Sequence, residues 1–495
     1  MNSDTAYQNS FCSILFSLRR ILLILLAPFS IAFSQEYILL GWNDLGMHCA
    51  NKDFSKIAVL PPYNNINAQL IRKVPNQLPQ LVTAGYTVEY SIPYNTYSVG
   101  KTNFWTYAQQ LFGLSQPLPQ NIGLAGKGLT GVLDTSGSFF HAVGIPITPL
   151  TDTNLVQEQP YQLIHLVAKA EGSSTILATT DVVIPVSNEI GCVQTGCHAS
   201  QDAILLQHEN VPGFNRIGPV LCASCHASNA LGTTGDPNAR PFSYRMHQEH
   251  SNISPPNAIE TCYKCHPGPN TQCFRDVMRT GIPTPLVCQN CHGTLSVIAQ
   301  SISNGRRPWL DEPQCGNVLC HGSNFAEEPG KLFRQSTGHG GMSCSACHGS
   351  PHAILPTIQP NDNLQSIRLQ GHAGVLRDCL VCHANAPTAP GPHGTLFSGA
   401  NLVNDQRPKD FNLYQNYPNP FNPETEILFD LPRRSRVTLE VFNALGQRMS
   451  QLVDADLESG SHSVRWNAAG CASGLYYYRI HTNAFIATKK MLVVR

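Results

Sequence analysis

Charge is scarce in this 495-residue sequence: Asp, Glu, Lys and Arg make up 13% and cancel to a net charge of zero. No basic field is present to gather nucleic acid or an anionic membrane surface. Beyond the N-terminus no apolar run approaches the ~20 residues of a membrane-spanning helix, so the mature chain should carry no span. The βαβ pattern that accompanies a lone redox Cys-x-x-Cys pair is missing. The β-rich flanks hold no acid–base or nucleophile constellation. Residues 188–400 lack both the two-residue alternation of strands and the 3.6-residue repeat of helices. An ordinary apolar core is hard to build from them. What the chain does have is 18 Cys and 19 His.

The N-terminus sets the compartment. Arg19 and Arg20 precede an apolar run over 21–27, and Ala32-Phe33-Ser34 is a small-x-small cleavage pattern. Residues 1–34 read as a secretory signal peptide, with mature sequence from about Gln35; the apolar core is too short to favour an uncleaved anchor. Cys12 lies upstream of that core.

Composition then divides the chain. Residues 35–187 contain β-rich runs at Tyr86–Tyr90, Phe139–Ile147, Tyr161–Ala168 and Ser174–Val186, separated by Gly, Pro and Asn turns, and predict an all-β sandwich-like domain. Residues 188–400 predict little regular secondary structure and short helices. Residues 401–411 read as a linker. Alternation returns at Glu426–Asp430, Val437–Phe442, His462–Trp466 and Leu475–Ile480, so 412–495 predicts a small immunoglobulin-like β-sandwich.

The chemistry lies in the central region. Five segments have the form Cys-x-x-Cys-His: Cys222, Cys225, His226; Cys262, Cys265, His266; Cys288, Cys291, His292; Cys344, Cys347, His348; and Cys379, Cys382, His383. Two more, Cys192, Cys197, His198 and Cys315, Cys320, His321, place four residues between the cysteines and keep the adjacent His. This is the spacing of c-type haem attachment: two thiols add to the vinyl groups of one porphyrin, and the next residue supplies the proximal imidazole. Seven haem c groups are therefore expected between Cys192 and His383, about 27 residues apiece. At that density the porphyrins themselves serve as the core. Zinc ribbons need two Cys pairs per metal and give no reason for the His. A disulfide framework would use the cysteines without the His.

The sixth iron ligand separates a wire from an enzyme. Seven further histidines lie in 188–400, namely His208, His247, His250, His339, His352, His372 and His393, one spare for each motif. That match favours bis-histidine ligation, with Met246, Met278 and Met342 as less favoured ligands. His247 and His250 share a helical face if that stretch is helical, and would serve two haems or one haem and a hydrogen bond. No Lys replaces a proximal His.

The central region resembles the multihaem c cytochromes of bacterial respiratory and extracellular electron-transfer chains, a resemblance that implies closely stacked haems passing electrons. The C-terminal region resembles the type A sorting domain of the type IX secretion system. It does so through Tyr414-Gln415-Asn416-Tyr417-Pro418-Asn419-Pro420, Val441-Phe442-Asn443-Ala444-Leu445-Gly446, Ala472-Ser473-Gly474-Leu475-Tyr476 and Lys489-Lys490-Met491. Cys471 departs from the family pattern. This resemblance implies passage across the outer membrane through the type IX machinery to the cell surface or beyond. The stretch Gly41 to Cys49 is similar to the N-terminal region of some other multihaem cytochromes, with no activity attached. His48 and Cys49 are more readily core or disulfide residues than ligands, and a Cys49–Cys273 bridge stays open. Three functions follow as expectations. The first is an electron carrier, with other cytochromes or extracellular acceptors as partners. The second is an oxidoreductase acting on a small nitrogen or sulfur compound at one five-coordinate haem, and the third a haem-bearing filament subunit that self-assembles. No nucleic-acid partner is expected.

Overall fold

The computed structural model describes residues 36–494 except 283, 319, 323–326, 389–390, 395–407 and 409. The expected signal peptide and most of the expected linker lie outside the described residues.

The N-terminal region forms two five-stranded sheets. One runs in the order Tyr37–Trp42, Asn64–Arg72, Phe139–Ile145, Asp134–Ser136, with Gln80–Val82 also on Asn64–Arg72. The other runs His48–Cys49, Ile176–Ser187, Tyr161–Ala170, Tyr86–Ser91, Thr130–Val132. Alternation places Ile66, Ala68 and Leu70 of the first sheet against Ile164, Leu166 and Ala168 of the second, all buried in one core. All four runs expected from the sequence are strands. One element was not expected: the helix Phe104–Phe112, which buries Phe104, Ala108 and Leu111 and ends at Gly113 in the left-handed conformation. Its apolar positions recur at helical spacing, and its inward face packs on Phe54 and on Leu221 and Ala223 of the central region.

The C-terminal region is a sandwich of a three-stranded sheet (Asn412–Leu413, Glu424–Leu431, Gly460–Asn467) on a four-stranded one (Arg448–Leu457, Ser435–Asn443, Gly474–Thr482, Ile486–Val493). Phe429, Val437, Leu439, Tyr478 and Met491 fill the space between them. The central region has short helices and 3-10 turns, a small hairpin, Gly349–Ser350 on Ala353–Ile354, and the short strand Val220–Leu221 paired with Ile57–Ala58.

The three regions are tied by ionic contacts. Asp181 of the N-terminal sheet accepts from His165 Nδ1 at 2.6 Å, from Arg368 of the central region and from Arg465 of the C-terminal sandwich at 2.7 Å. Arg368 also reaches Glu426 at 2.5 Å. Burial disfavours the Asp181 carboxylate, but His165 and Arg368 outweigh it and hold its pKa down at about 2, against an ordinary 3.8. A carboxyl held below its ordinary value stabilises fully above about pH 4 and loses that contribution as pH falls towards 2, because the unfolded chain takes up the proton first. The thermal midpoint should therefore fall more steeply below pH 4 in the native protein than in Asp181→Asn. Calorimetry across pH 2–6 measures this, and parallel curves for the two proteins would show that Asp181 does not join the regions energetically.

Candidate metal centres

Each cysteine-pair motif is a single closed turn. Cys288–His292 and Cys344–His348 are short helices, and His226, His266 and His383 donate their backbone N–H to the first cysteine of the motif at 2.9–3.0 Å. The two longer motifs close in the same way: His198 donates to Cys192 O at 3.1 Å and His321 to Cys315 O at 3.2 Å. None of the 14 motif cysteines is paired in a disulfide.

The histidines come together in twos. Six of the seven motif imidazoles face one spare imidazole each. Ring centres are 6.2 Å apart in His198–His250 and His266–His247, and 6.0 Å apart in His226–His208, His292–His352, His383–His339 and His348–His393. Two imidazoles that bind one metal from opposite sides, each with its near nitrogen about 2 Å from it, place their ring centres roughly 6 Å apart. The six pairs sit at that spacing. His247, within the helix Phe242–Glu249, and His250, at its C-cap, face two different motifs. His352 faces His292, not the His348 four residues before it.

Backbone carbonyls aim the rings. His226 Nδ1 is 2.7 Å from Arg240 O, His247 Nδ1 2.7 Å from Ser243 O and His250 Nδ1 2.7 Å from Met246 O. An Nδ1–H bonded to a carbonyl leaves Nε2 as the free donor, the arrangement in which histidine binds metals. Burial, with the facing imidazole adding to it, lowers His266 and His348 to about 4 and His352 to about 3. These rings are neutral at physiological pH, the form that carries a lone pair.

His352 is held by residues the sequence did not single out. Its φ of +64° is one L side chains rarely adopt, and its carbonyl accepts from Arg275 N at 3.0 Å. Arg275 is buried. It clasps Asp362 through Nε and a terminal nitrogen (2.6 and 2.8 Å), donates to Gly46 O at 2.6 Å, and lies over the Tyr161 ring. Gly46 belongs to the Gly41–Cys49 stretch, which turns through Asn43: its side chain accepts from Leu45 N and Gly46 N while donating to Asn64 Oδ1. The N-terminal domain thus braces the turn that carries His352.

The motif thiols are held protonated by burial and by one another. Burial pushes Cys222 up to about 12 with Cys192 adding to it, and Cys265 up to about 11 with Cys192 and Cys197 adding. A hydrogen bond with Cys288 and burial keep Cys262 protonated. Burial raises Cys291, with Cys320 adding. Burial and Glu327 raise Cys315 to about 12, with Cys344 also contributing, and Cys347 rises to about 12 with Cys382 adding. Thiols of different motifs thus raise one another, the first motif acting on the second and third, and the fourth to seventh each on a neighbour in the chain.

Some candidates are placed elsewhere. His372 is buried at the end of the helix Leu364–Gln370, with Nδ1 3.0 Å from Ala373 O, and faces no motif histidine among the described residues. His48 is buried 3.2 Å from Asp44. Cys49 and Cys273 share one apolar cluster as free thiols, while Cys471 packs in the C-terminal core. Among the described residues no three or more His, Cys, Asp or Glu side chains converge to hold a metal ion, and no helix is long and apolar enough to cross a membrane.

A family model for the secretion system C-terminal sorting domain matches residues 415–494. Those residues are a type IX sorting domain, and the chain is exported by that machinery across the outer membrane to the cell surface. No curated protein matches the chain. A solved structure of PorZ, described as an essential surface component of the type IX secretion system of Porphyromonas gingivalis, is 18% identical over 23% of this chain, with a TM-score of 0.14. The match covers 16% of the PorZ chain.

Gly46 tests the brace. Its φ is +73°, and a Cβ there would lie 1.9 Å from Pro351 O. Gly46→Ala should lower stability by at least about 1–3 kcal/mol and loosen the Pro351–His352 turn, read by urea titration and by hydrogen exchange over 350–354. Native-like exchange in that segment would remove the bracing role.

Proposed function

We propose that this chain is an exported multihaem c-type cytochrome that carries electrons along seven covalently bound haems, most of them bis-histidine ligated, outside the cell. The observation that carries the reading is the spacing of the six histidine pairs, each joining an imidazole next to a cysteine pair with an imidazole from elsewhere in the chain. Thioether bonds from Cys192 and Cys197, Cys222 and Cys225, Cys262 and Cys265, Cys288 and Cys291, Cys315 and Cys320, Cys344 and Cys347, and Cys379 and Cys382 would hold the porphyrins. Haem bound in this way supplies a one-electron couple, its potential set by the axial ligands and by burial.

The protein's own contribution is position. Carbonyl-anchored imidazoles at His226, His247 and His250 would fix the first three sites, and the brace through Gly46, Arg275 and Asp362 the fourth. The density of seven motifs between Cys192 and His383 supports one continuous path. The partners on this reading are a donor at the outer membrane and an acceptor beyond it, either another cytochrome or an extracellular solid.

Intact mass of the mature protein, made in a host that assembles cytochromes c, tests the reading. Seven haem increments are expected. A colourless protein with none sinks it, and five would remove the two longer motifs. His250→Ala should then leave the haem count unchanged and convert one further haem to high spin in the ferric spectrum. An unchanged spectrum would mean that His250 does not ligate.

A further inference from the structure

We infer that the fifth motif, Cys315, Cys320 and His321, forms a ligand-binding site: a haem with one open axial face that takes a small neutral Lewis base of one to three heavy atoms. This rests on the haem reading above and adds what that reading leaves undecided, namely which centre does more than relay.

Two independent observations meet here. The first is the pairing pattern. Six motif imidazoles each have a facing ring at 6.0–6.2 Å, and His321 has none among the described residues, which include every histidine of the chain. The His321 ring is exposed. The second is the location of the remaining spare. His372 is 9% exposed, rests on Ala373 O, and lies within 3.4 Å of Gln370 Nε2. It follows Gly371, whose carbonyl oxygen would lie 2.5 Å from a Cβ on Gly460 of the sorting domain. The imidazole that numbers alone would assign to the fifth motif is packed beside the C-terminal sandwich.

The longer Cys–Cys spacing is not the cause. His198 belongs to the other long motif and has its partner in His250. Nor is the fifth motif poorly formed. Glu327 accepts from Cys315 N at 2.5 Å and from Gly316 N at 3.2 Å, while Cys320 N and Gly322 N both donate to Asn317 O, at 2.8 and 3.1 Å. The attachment turn is built and the opposite face is left without an imidazole. The Glu327 carboxylate beside Cys315 disfavours an anion and favours a neutral ligand.

The test uses the full mature holoprotein. Haem number is first fixed by intact mass, and carbon monoxide is then titrated into the dithionite-reduced protein while ferric high-spin signal is read by EPR. One CO per protein of seven haems is expected, with one high-spin haem. His372→Ala should change neither value. Seven haems with no CO bound overturn the inference and leave the electron-carrier reading intact. So does a His372→Ala protein that gains a CO site the native protein lacks, since His372 would then be the missing ligand. Two or more CO per native protein also overturn the assignment to a single motif. Absence of haem altogether sinks the earlier reading instead. Cys315→Ala/Cys320→Ala, if it folds, should carry six haems and bind no CO; retention of CO binding by that protein places the open face elsewhere and overturns the assignment.

Discussion

Two imidazoles can bind one metal from opposite sides only if their rings are held about 6 Å apart with the right nitrogens facing, and six histidine pairs of the central region meet that spacing. The chain there has too few apolar side chains to hold such a spacing by packing alone. It uses closed cysteine-histidine turns on one side and carbonyl-anchored histidines on the other. The N-terminal sandwich supplies rigidity from outside: Gly46 meets Pro351, Arg275 reaches both Gly46 and Asp362, and His352 keeps an unfavourable backbone conformation as a result. Strain of this kind persists only where surrounding contacts over-determine it.

The β regions were legible because a strand's period is two and burial on one face writes that period into the sequence. Ile66, Ala68 and Leu70 are an example, as are Val437, Leu439 and Val441. Arg448–Leu457 and Ile486–Val493 escaped notice because the first is largely solvent-facing and the second is interrupted by Thr488, Lys489 and Lys490. The helix Phe104–Phe112 was hidden by its aromatic residues, which read as strand formers until a second surface is there to bury them. The cysteine-histidine motifs stood out because their spacing is local to the sequence. The pairing of histidines was not readable, because it depends on the path of the chain in space: His250 returns to His198 and His393 to His348, past nearer candidates. Counting gave His372 a role among the ligands. Its placement beside the sorting domain is a tertiary outcome that no spacing announces.

The sorting domain sits on the rest of the chain through named contacts. Arg465 reaches Asp181, Glu426 reaches Arg368, and Tyr94 donates to Glu424 O at 2.8 Å. Export and the central array thus meet at one charged junction, where a carboxylate of the first domain is neutralised by arginines of the other two. Single surface ion pairs contribute little, but here the Asp181 and Glu426 carboxylates are buried and hydrogen-bonded to Arg368, which is where such pairs act.

X-ray absorption at the iron edge of the purified holoprotein bears most directly on the claim that paired imidazoles hold the metals. The account predicts light-atom neighbours at about 2 Å, four from the porphyrin and two axial for most irons, with an average just short of six and no sulfur in the first shell. A first shell containing sulfur at about 2.3 Å, as thiolate-bound metal would give, would contradict it.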